Sequence, residues 1–62
     1  MTTYRFLWLS PDKSVVRVRD LTLANDAAAH AVAAHLMKAE TIEVWQGNQL
    51  LFRLEPGPQN LH

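Results

Sequence analysis

Four stretches of the chain alternate apolar and polar residues with a period of two, which is typical of β-strands. The first, Tyr4 to Leu9, carries an aromatic residue at every second position. The others run from Val15 to Asp20, from Thr41 to Gln46 and from Gln49 to Leu54. An alanine-rich stretch, Ala27 to Lys38, lies between the second and the third. The pattern predicts the element order ββαββ.

The first two strands are predicted to form a hairpin around Ser10 to Ser14. Pro11 suits the second position of a type I turn. A three-residue loop sets Ser10 opposite Ser14 and gives the further pairs Trp8 with Val16 and Phe6 with Val18. A slip by one residue would place Phe6 against Arg17 and mix apolar with charged side chains, so we prefer the first register. The other face then carries Arg5, Leu7, Leu9, Val15, Arg17 and Arg19.

The helix is predicted to begin at a polar cap. Asn25 is a good N-cap, and Asp26 puts an acid in the first turn, where the helix dipole favours negative charge. Lys38 lies near the other end, which favours a cation. The residues at positions i, i+3, i+4 and i+7 form an apolar stripe that would pack on the sheet: Ala29, Val32, Ala33 and Leu36.

Two rules conflict in the second hairpin. Gly47-Asn48 fits a two-residue type II′ turn, which pairs Trp45 with Leu50 but leaves Phe52 opposite Glu43. A three-residue loop separates the two faces better, because it gives the pairs Val44 with Phe52, Ile42 with Leu54 and Glu43 with Arg53. Local turn chemistry favours the two-residue turn.

Size and composition point to oligomerisation. A domain of 62 residues buries only about 60% of its unfolded-chain surface and lies near the stability margin. Small proteins compensate with disulfides, a metal or association, and the chain has no cysteine. No apolar run reaches the length of a membrane span, and we expect no signal peptide and a cytoplasmic location. A homodimer is therefore the default expectation.

No pattern indicates catalysis, a metal site or a cofactor. His30 and His35 are five residues apart in the predicted helix, about 140° around its axis, so they do not converge on a metal ion. His62 lies in the predicted tail. No serine or threonine has a base at a recognisable spacing, and both glycines lie in turns. We expect no enzymatic activity, no catalytic or metal-binding residues and no cofactor.

Apolar residues occur on both faces of the predicted sheet, although one helix covers only one face. Single exposed apolar residues are normal, but a contiguous patch marks an interface. Trp45 also alternates away from Ile42 and Val44. The predicted interaction residues are Arg5, Leu7, Leu9, Val15, Arg17, Arg19 and Trp45.

The arginines among them suggest an alternative function. In the preferred register Arg5 lies opposite Arg19, and like charges in that position call for an anionic partner. Together with Arg17 and Trp45 they could bind RNA or single-stranded DNA weakly. The zero net charge makes nucleic acid the less favoured partner.

Several segments resemble one group of short bacterial proteins. They are Tyr-Arg-Phe at Tyr4, Ala-Asn-Asp-Ala at Ala24, and Glu43 to Asn48 followed by Leu-Leu and Arg-Leu. The chain resembles, over about residues 3 to 55, uncharacterised proteins common in alphaproteobacteria that form a domain of unknown function. Its first turn, Pro11-Asp12-Lys13, departs from the Asp/Gly-rich turn of that group. The resemblance implies a bacterial cytoplasmic origin and the ββαββ order, and no activity.

The sequence thus predicts an α+β two-layer domain over residues 1–55, with a four-stranded, mainly antiparallel sheet and one helix on one face. Residues 56–62 are predicted to be a flexible tail. The expected function is a small protein-interaction or regulatory module, acting as a homodimer or as an adaptor to a protein partner. Weak nucleic-acid binding is the alternative, and a small-ligand site under the helix is a third possibility.

Overall fold

A computed structural model describes residues 1–56 and has the predicted ββαββ order. The elements are β1 (Thr2–Leu9), β2 (Val15–Leu23), α1 (Asp26–Leu36), β3 (Thr41–Gln46) and β4 (Gln49–Leu54). The predicted α+β class is therefore confirmed. The strand β2 is three residues longer than the alternation indicated. All of the predicted tail except Pro56 lies outside the described residues.

The four strands form one antiparallel sheet in the order β2-β1-β3-β4, which the sequence did not reveal. The central strands β1 and β3 supply most of the core, and α1 covers one face of the sheet. The buried residues on this helix side include two small ones on α1, which let the helix lie close: Tyr4, Phe6, Trp8, Ala29, Ala33, Ile42 and Val44. No helix within residues 1–56 is long and apolar enough to cross a bilayer.

The helix begins at the predicted cap. The side-chain oxygen of Asn25 accepts a hydrogen bond from the backbone N–H of Ala28 at 2.9 Å. The hydroxyl of the buried Tyr4 donates to Asp26 at 2.7 Å, which ties the first helical turn to the centre of the sheet. This hydrogen bond to the carboxylate, together with burial, raises the pKa of Tyr4. The helix ends at Leu36, two residues before Lys38, because Met37 is already extended, with ψ 132°.

The first turn is a β-turn around Pro11, as predicted, and Asp12 lacks the positive φ that a type II turn would need. The N–H of Lys13 donates to the carbonyl of Ser10 at 2.8 Å, and Ser10 N–H donates to the carbonyl of Ser14 at the same distance. Lys13 closes the loop with a positive φ of 73°. Asp12 accepts from the Ser10 hydroxyl and from the N–H of Ser14, and these hydrogen bonds lower the pKa of its carboxyl group.

The predicted register of the first hairpin is wrong beyond its first pair. Leu9 pairs with Val15, as a three-residue loop requires, but the register then shifts at a β-bulge, and Trp8 pairs with Arg17. The extra residue is Val16. From there on, Phe6 faces Arg19 instead of Val18. Arg17 and Arg19 therefore lie on the helix side, and the prediction that they face outward with Arg5 is wrong.

A second bulge resolves the conflict in the second hairpin. Trp45 pairs with Leu50 across the two-residue turn, and Gly47 has the positive φ, 60°, that a type II′ turn needs at its first central position. The register then shifts by one residue. The remaining pairs are those of the three-residue loop: Val44 with Phe52, Glu43 with Arg53 and Ile42 with Leu54. Because Leu51 is the extra residue, the hairpin keeps the two-residue turn and still places its apolar and charged side chains on separate faces.

Candidate functional site

The face of the sheet that points away from the helix is the strongest candidate for a functional surface, and we call it the outer face. Its apolar residues lie on all four strands: Leu7, Leu9, Val15, Val18, Trp45 and Leu50. Val15 and Val18 are each about half exposed, at 52% and 50%. No element within residues 1–56 covers this face, so these side chains present apolar surface to their surroundings, except Leu9, which is buried with 8% of its surface exposed.

The charged groups of the outer face are paired with one another. Arg5 faces Asp20, not Arg19, and its Nε donates to Asp20 Oδ1 at 3.0 Å. A second hydrogen bond joins Nη2 of Arg5 to Oδ2 of the same carboxylate at 3.3 Å. The hydrogen bonds from Arg5 lower the pKa of Asp20. The predicted contact between Arg5 and Arg19, which suggested an anionic partner, therefore does not form.

A second network of hydrogen bonds joins outer-face side chains of β3 and β4. The carboxylate of Glu43 accepts from the indole Nε1 of Trp45 at 3.0 Å and from Arg53 Nη2 at 2.8 Å. This fixes the Trp45 ring against the sheet. With Arg5 and Asp20, the strand residues of the outer face carry two positive and two negative charges, so the face is neutral.

The structure divides the predicted interaction residues between two surfaces. The outer face holds Arg5, Leu7, Leu9, Val15 and Trp45, as predicted, but Leu9 is buried within it and is not available for contact. Arg17 and Arg19 lie on the helix side, where the guanidinium carbon of Arg17 is 5.4 Å from the centroid of the Trp8 ring. The four residues proposed for nucleic-acid binding, Arg5, Arg17, Arg19 and Trp45, therefore do not form one platform.

Sequence reasoning missed several residues of the outer face. Val18 is assigned to the core if the bulge is not foreseen. Leu50 is paired with Trp45 by the predicted two-residue turn, but it is not among the predicted interaction residues. The partnership of Arg5 with Asp20 emerges only once the strand pairs are known, whereas Glu43 opposite Arg53 belongs to the register that the sequence offered as the alternative. A signal for both bulges was present, since each extra residue is the second of a doubled apolar pair, Val15-Val16 and Leu50-Leu51, which breaks the alternation.

The histidines of the helix lie apart from this surface. His30 packs against Phe52, with ring centroids 5.1 Å apart, and His35 is exposed in the last helical turn. Within residues 1–56 no three histidine, aspartate or glutamate side chains are grouped in a way that could hold a metal ion. His62 lies outside this range.

Comparisons of the chain with family models, with curated proteins and with solved structures give no match. The resemblance to short bacterial proteins therefore stays a prediction.

Proposed function

We propose that this domain is a protein-interaction module that works as a homodimer, with the outer face as the contact between two copies. The observation that carries the proposal is an apolar patch spread over all four strands and left uncovered by α1. Two such faces packed on each other would form a sheet-on-sheet core of the kind found in β-sandwiches.

The polar groups of the outer face suit burial in such a contact. A buried charge without a partner is strongly destabilising, whereas a paired and hydrogen-bonded charge is tolerated. Arg5 is already bonded to Asp20, and Glu43 to both Arg53 and Trp45. The hydroxyls of Thr3 and Thr22 also bond to each other, at 3.1 Å. Covering the face leaves none of these side chains without a partner.

Charge and area both favour a second copy of this chain as the partner. A neutral face does not repel its own copy, whereas a strongly charged partner would gain nothing from it. Four strands of this length span roughly 20 by 25 Å, or about 500 Å² per copy. Two copies would bury about 1,000 Å² or somewhat more, which meets the lower limit for a specific interface.

The proposal can be tested residue by residue with NMR spectra recorded along a dilution series. We expect resonances of Leu7, Val18 and Leu50 to shift between about 1 mM and about 10 µM, a range that brackets a weak to moderate dimer. Exposed helix residues such as Ala31 and Ala34 serve as the internal control and should not shift. Spectra that do not depend on concentration would reject the homodimer, and shifts confined to the helix would place the interface elsewhere.

Weak nucleic-acid binding remains the second candidate, and it would use the helix side. Arg17 and Arg19 are two residues apart on that side of β2, and neither forms an ion pair within residues 1–56. Binding of a single-stranded oligonucleotide should then fall steeply with salt concentration and be lost in Arg17→Ala/Arg19→Ala. Binding that survives this double substitution would remove the candidate.

A further inference from the structure

A groove lies on the helix side, between the end of α1 and the tip of the first hairpin. Its volume is about 360 Å³, and it is lined by Trp8, Val16, Arg17, Leu36, Lys38 and Glu40. This volume falls at the lower end of the range for small-molecule sites, about 300 to 1,000 Å³. The groove is on the opposite side of the sheet from the outer face, so it stays open whether or not two copies associate there.

The β-bulge at Val16 builds one wall of this groove. Without the extra residue, Arg17 would lie on the outer face and Val16 would face Trp8. With it, Arg17 is turned to the helix side and covers the Trp8 ring. Bulges are over-represented near functional sites because they re-aim a side chain, and this one directs a guanidinium into a cleft.

The chemistry of the lining is both apolar and cationic. Val16 and Leu36 are 53% and 36% exposed, so they give the groove two accessible apolar walls. Arg17 and Lys38 bring two positive charges, against the single negative charge of Glu40. None of the three forms an ion pair with another residue in the part of the chain that the structure describes.

We propose that this groove binds a small aromatic carboxylate, with its ring between Val16 and Leu36 and its carboxylate on Arg17 and Lys38. A guanidinium offers a planar fork that matches a carboxylate and can also stack on a ring. Glu40 leaves the lining with one net positive charge, which suits a monoanion and disfavours a doubly charged phosphate ester. The volume accommodates a single ring with a short acidic arm.

The test is a titration of the ¹⁵N-labelled protein with phenylacetate, followed by two-dimensional NMR. We expect saturable shifts of the Trp8 indole N–H and of the backbone amides of Val16, Arg17 and Leu36. Neutral phenylacetamide, which has the same ring and arm, should bind about tenfold more weakly, because it lacks the charge-assisted hydrogen bonds. Equal binding of the two probes, or no shifts at about 10 mM phenylacetate, would overturn the proposal.

Matched variants locate the carboxylate. Arg17→Gln and Lys38→Gln should each weaken phenylacetate binding several-fold, while Arg19→Gln, on the same strand and side but outside the groove, should not. Glu40→Gln should strengthen binding. If Arg19→Gln weakened phenylacetate binding as much as Arg17→Gln, the loss would reflect general charge attraction, and the proposed contact in the groove would be rejected. A peptide with a free C-terminal phenylalanine that binds about tenfold more tightly than phenylacetate would overturn the assignment to a free small molecule.

Discussion

Arg5 on β1 and Asp20 on β2 face each other across the first hairpin, and their side chains are joined by two hydrogen bonds. This pair exists because Val16 is bulged out of the strand. A hairpin without the bulge would set Arg5 against Arg19. One inserted residue thus changes the outer face from a cationic surface into a neutral one, and with it the kind of partner that the face suits.

The ion pair predicts how stability depends on pH. Arg5 lowers the pKa of Asp20 in the folded protein, so the unfolded chain binds more protons in acid than the folded one. The stabilisation is present above the ordinary carboxyl pKa of about 3.9 and is lost as the pH falls through the lowered value. In urea unfolding at about pH 7 and about pH 3, Asp20→Asn should lose less stability between the two pH values than the wild type.

The control is Arg5→Gln, which removes the guanidinium that lowers the pKa of Asp20 and keeps the Asp20 carboxylate. It should flatten the pH dependence as much as Asp20→Asn does, and the double variant should do no more. Asp12 also has a lowered pKa, so part of the acid dependence should remain in all three variants. A wild-type pH dependence in Asp20→Asn would contradict the account of this pair.

The contact between Arg17 and Trp8 predicts a change in both stability and fluorescence. Arg17→Ala removes a cation–π contact worth about 0.5 to 1 kcal/mol at an exposed site. It should also uncover the Trp8 ring, which is now only 6% exposed, and raise its quenching by acrylamide in a Trp45→Phe background. Arg19→Ala, opposite Phe6, is the matched control and should leave the quenching unchanged. Equal quenching in the two variants would mean that Arg17 does not cover Trp8.

The helix cap predicts a simple stability ranking. Asn25→Ala removes the acceptor of the Ala28 N–H and should lower the free energy of unfolding by about 1 kcal/mol. Asn25→Asp keeps an acceptor at the helix N-terminus and should stay close to the wild type. Thermal unfolding followed by circular dichroism separates these outcomes. An alanine variant as stable as the aspartate variant would show that the cap contributes little.

The two turns predict substitutions of opposite effect. Gly47 has a φ of 60°, and a Cβ there would meet no atom within 4 Å, so Gly47→Ala carries only the backbone strain of the type II′ position, about 1 to 3 kcal/mol. Lys13 holds a φ of 73° with a side chain, so Lys13→Gly should relieve strain and be neutral or slightly stabilising. Urea unfolding of both variants checks this. A destabilised Lys13→Gly would show that the chain entropy of glycine outweighs the strain.

Much of the fold could be predicted because its signals are local. Alternation located the strands, Asn25 located the start of the helix, and Pro11 and Gly47 identified both turns. The end of the helix was less well marked, since helix-favouring residues continue from Met37 to Glu40 without a glycine stop.

The candidate site was harder to predict because it depends on pairing between strands. Alternation has a period of two, so a single bulged residue moves every later side chain to the opposite face. That is why Arg17, Arg19 and Val18 were assigned to the wrong faces, while Leu7, Leu9 and Trp45, which lie on the central strands, were assigned correctly. Strand order is set by packing of the whole chain, and no local pattern encodes it.

The most direct test of the central claim compares two valines of β2. Val18 and Val16 are almost equally exposed, but Val18 lies on the outer face opposite Leu7 and Val16 lines the groove on the helix side. In sedimentation equilibrium at about 100 µM, we expect the wild type to approach twice the chain mass of 7.0 kDa. Val18→Lys should sediment as a single chain, because it places a charge in the contact, while Val16→Lys should behave as the wild type. A wild type with the mass of one chain, or two variants that behave alike, would contradict association through the outer face.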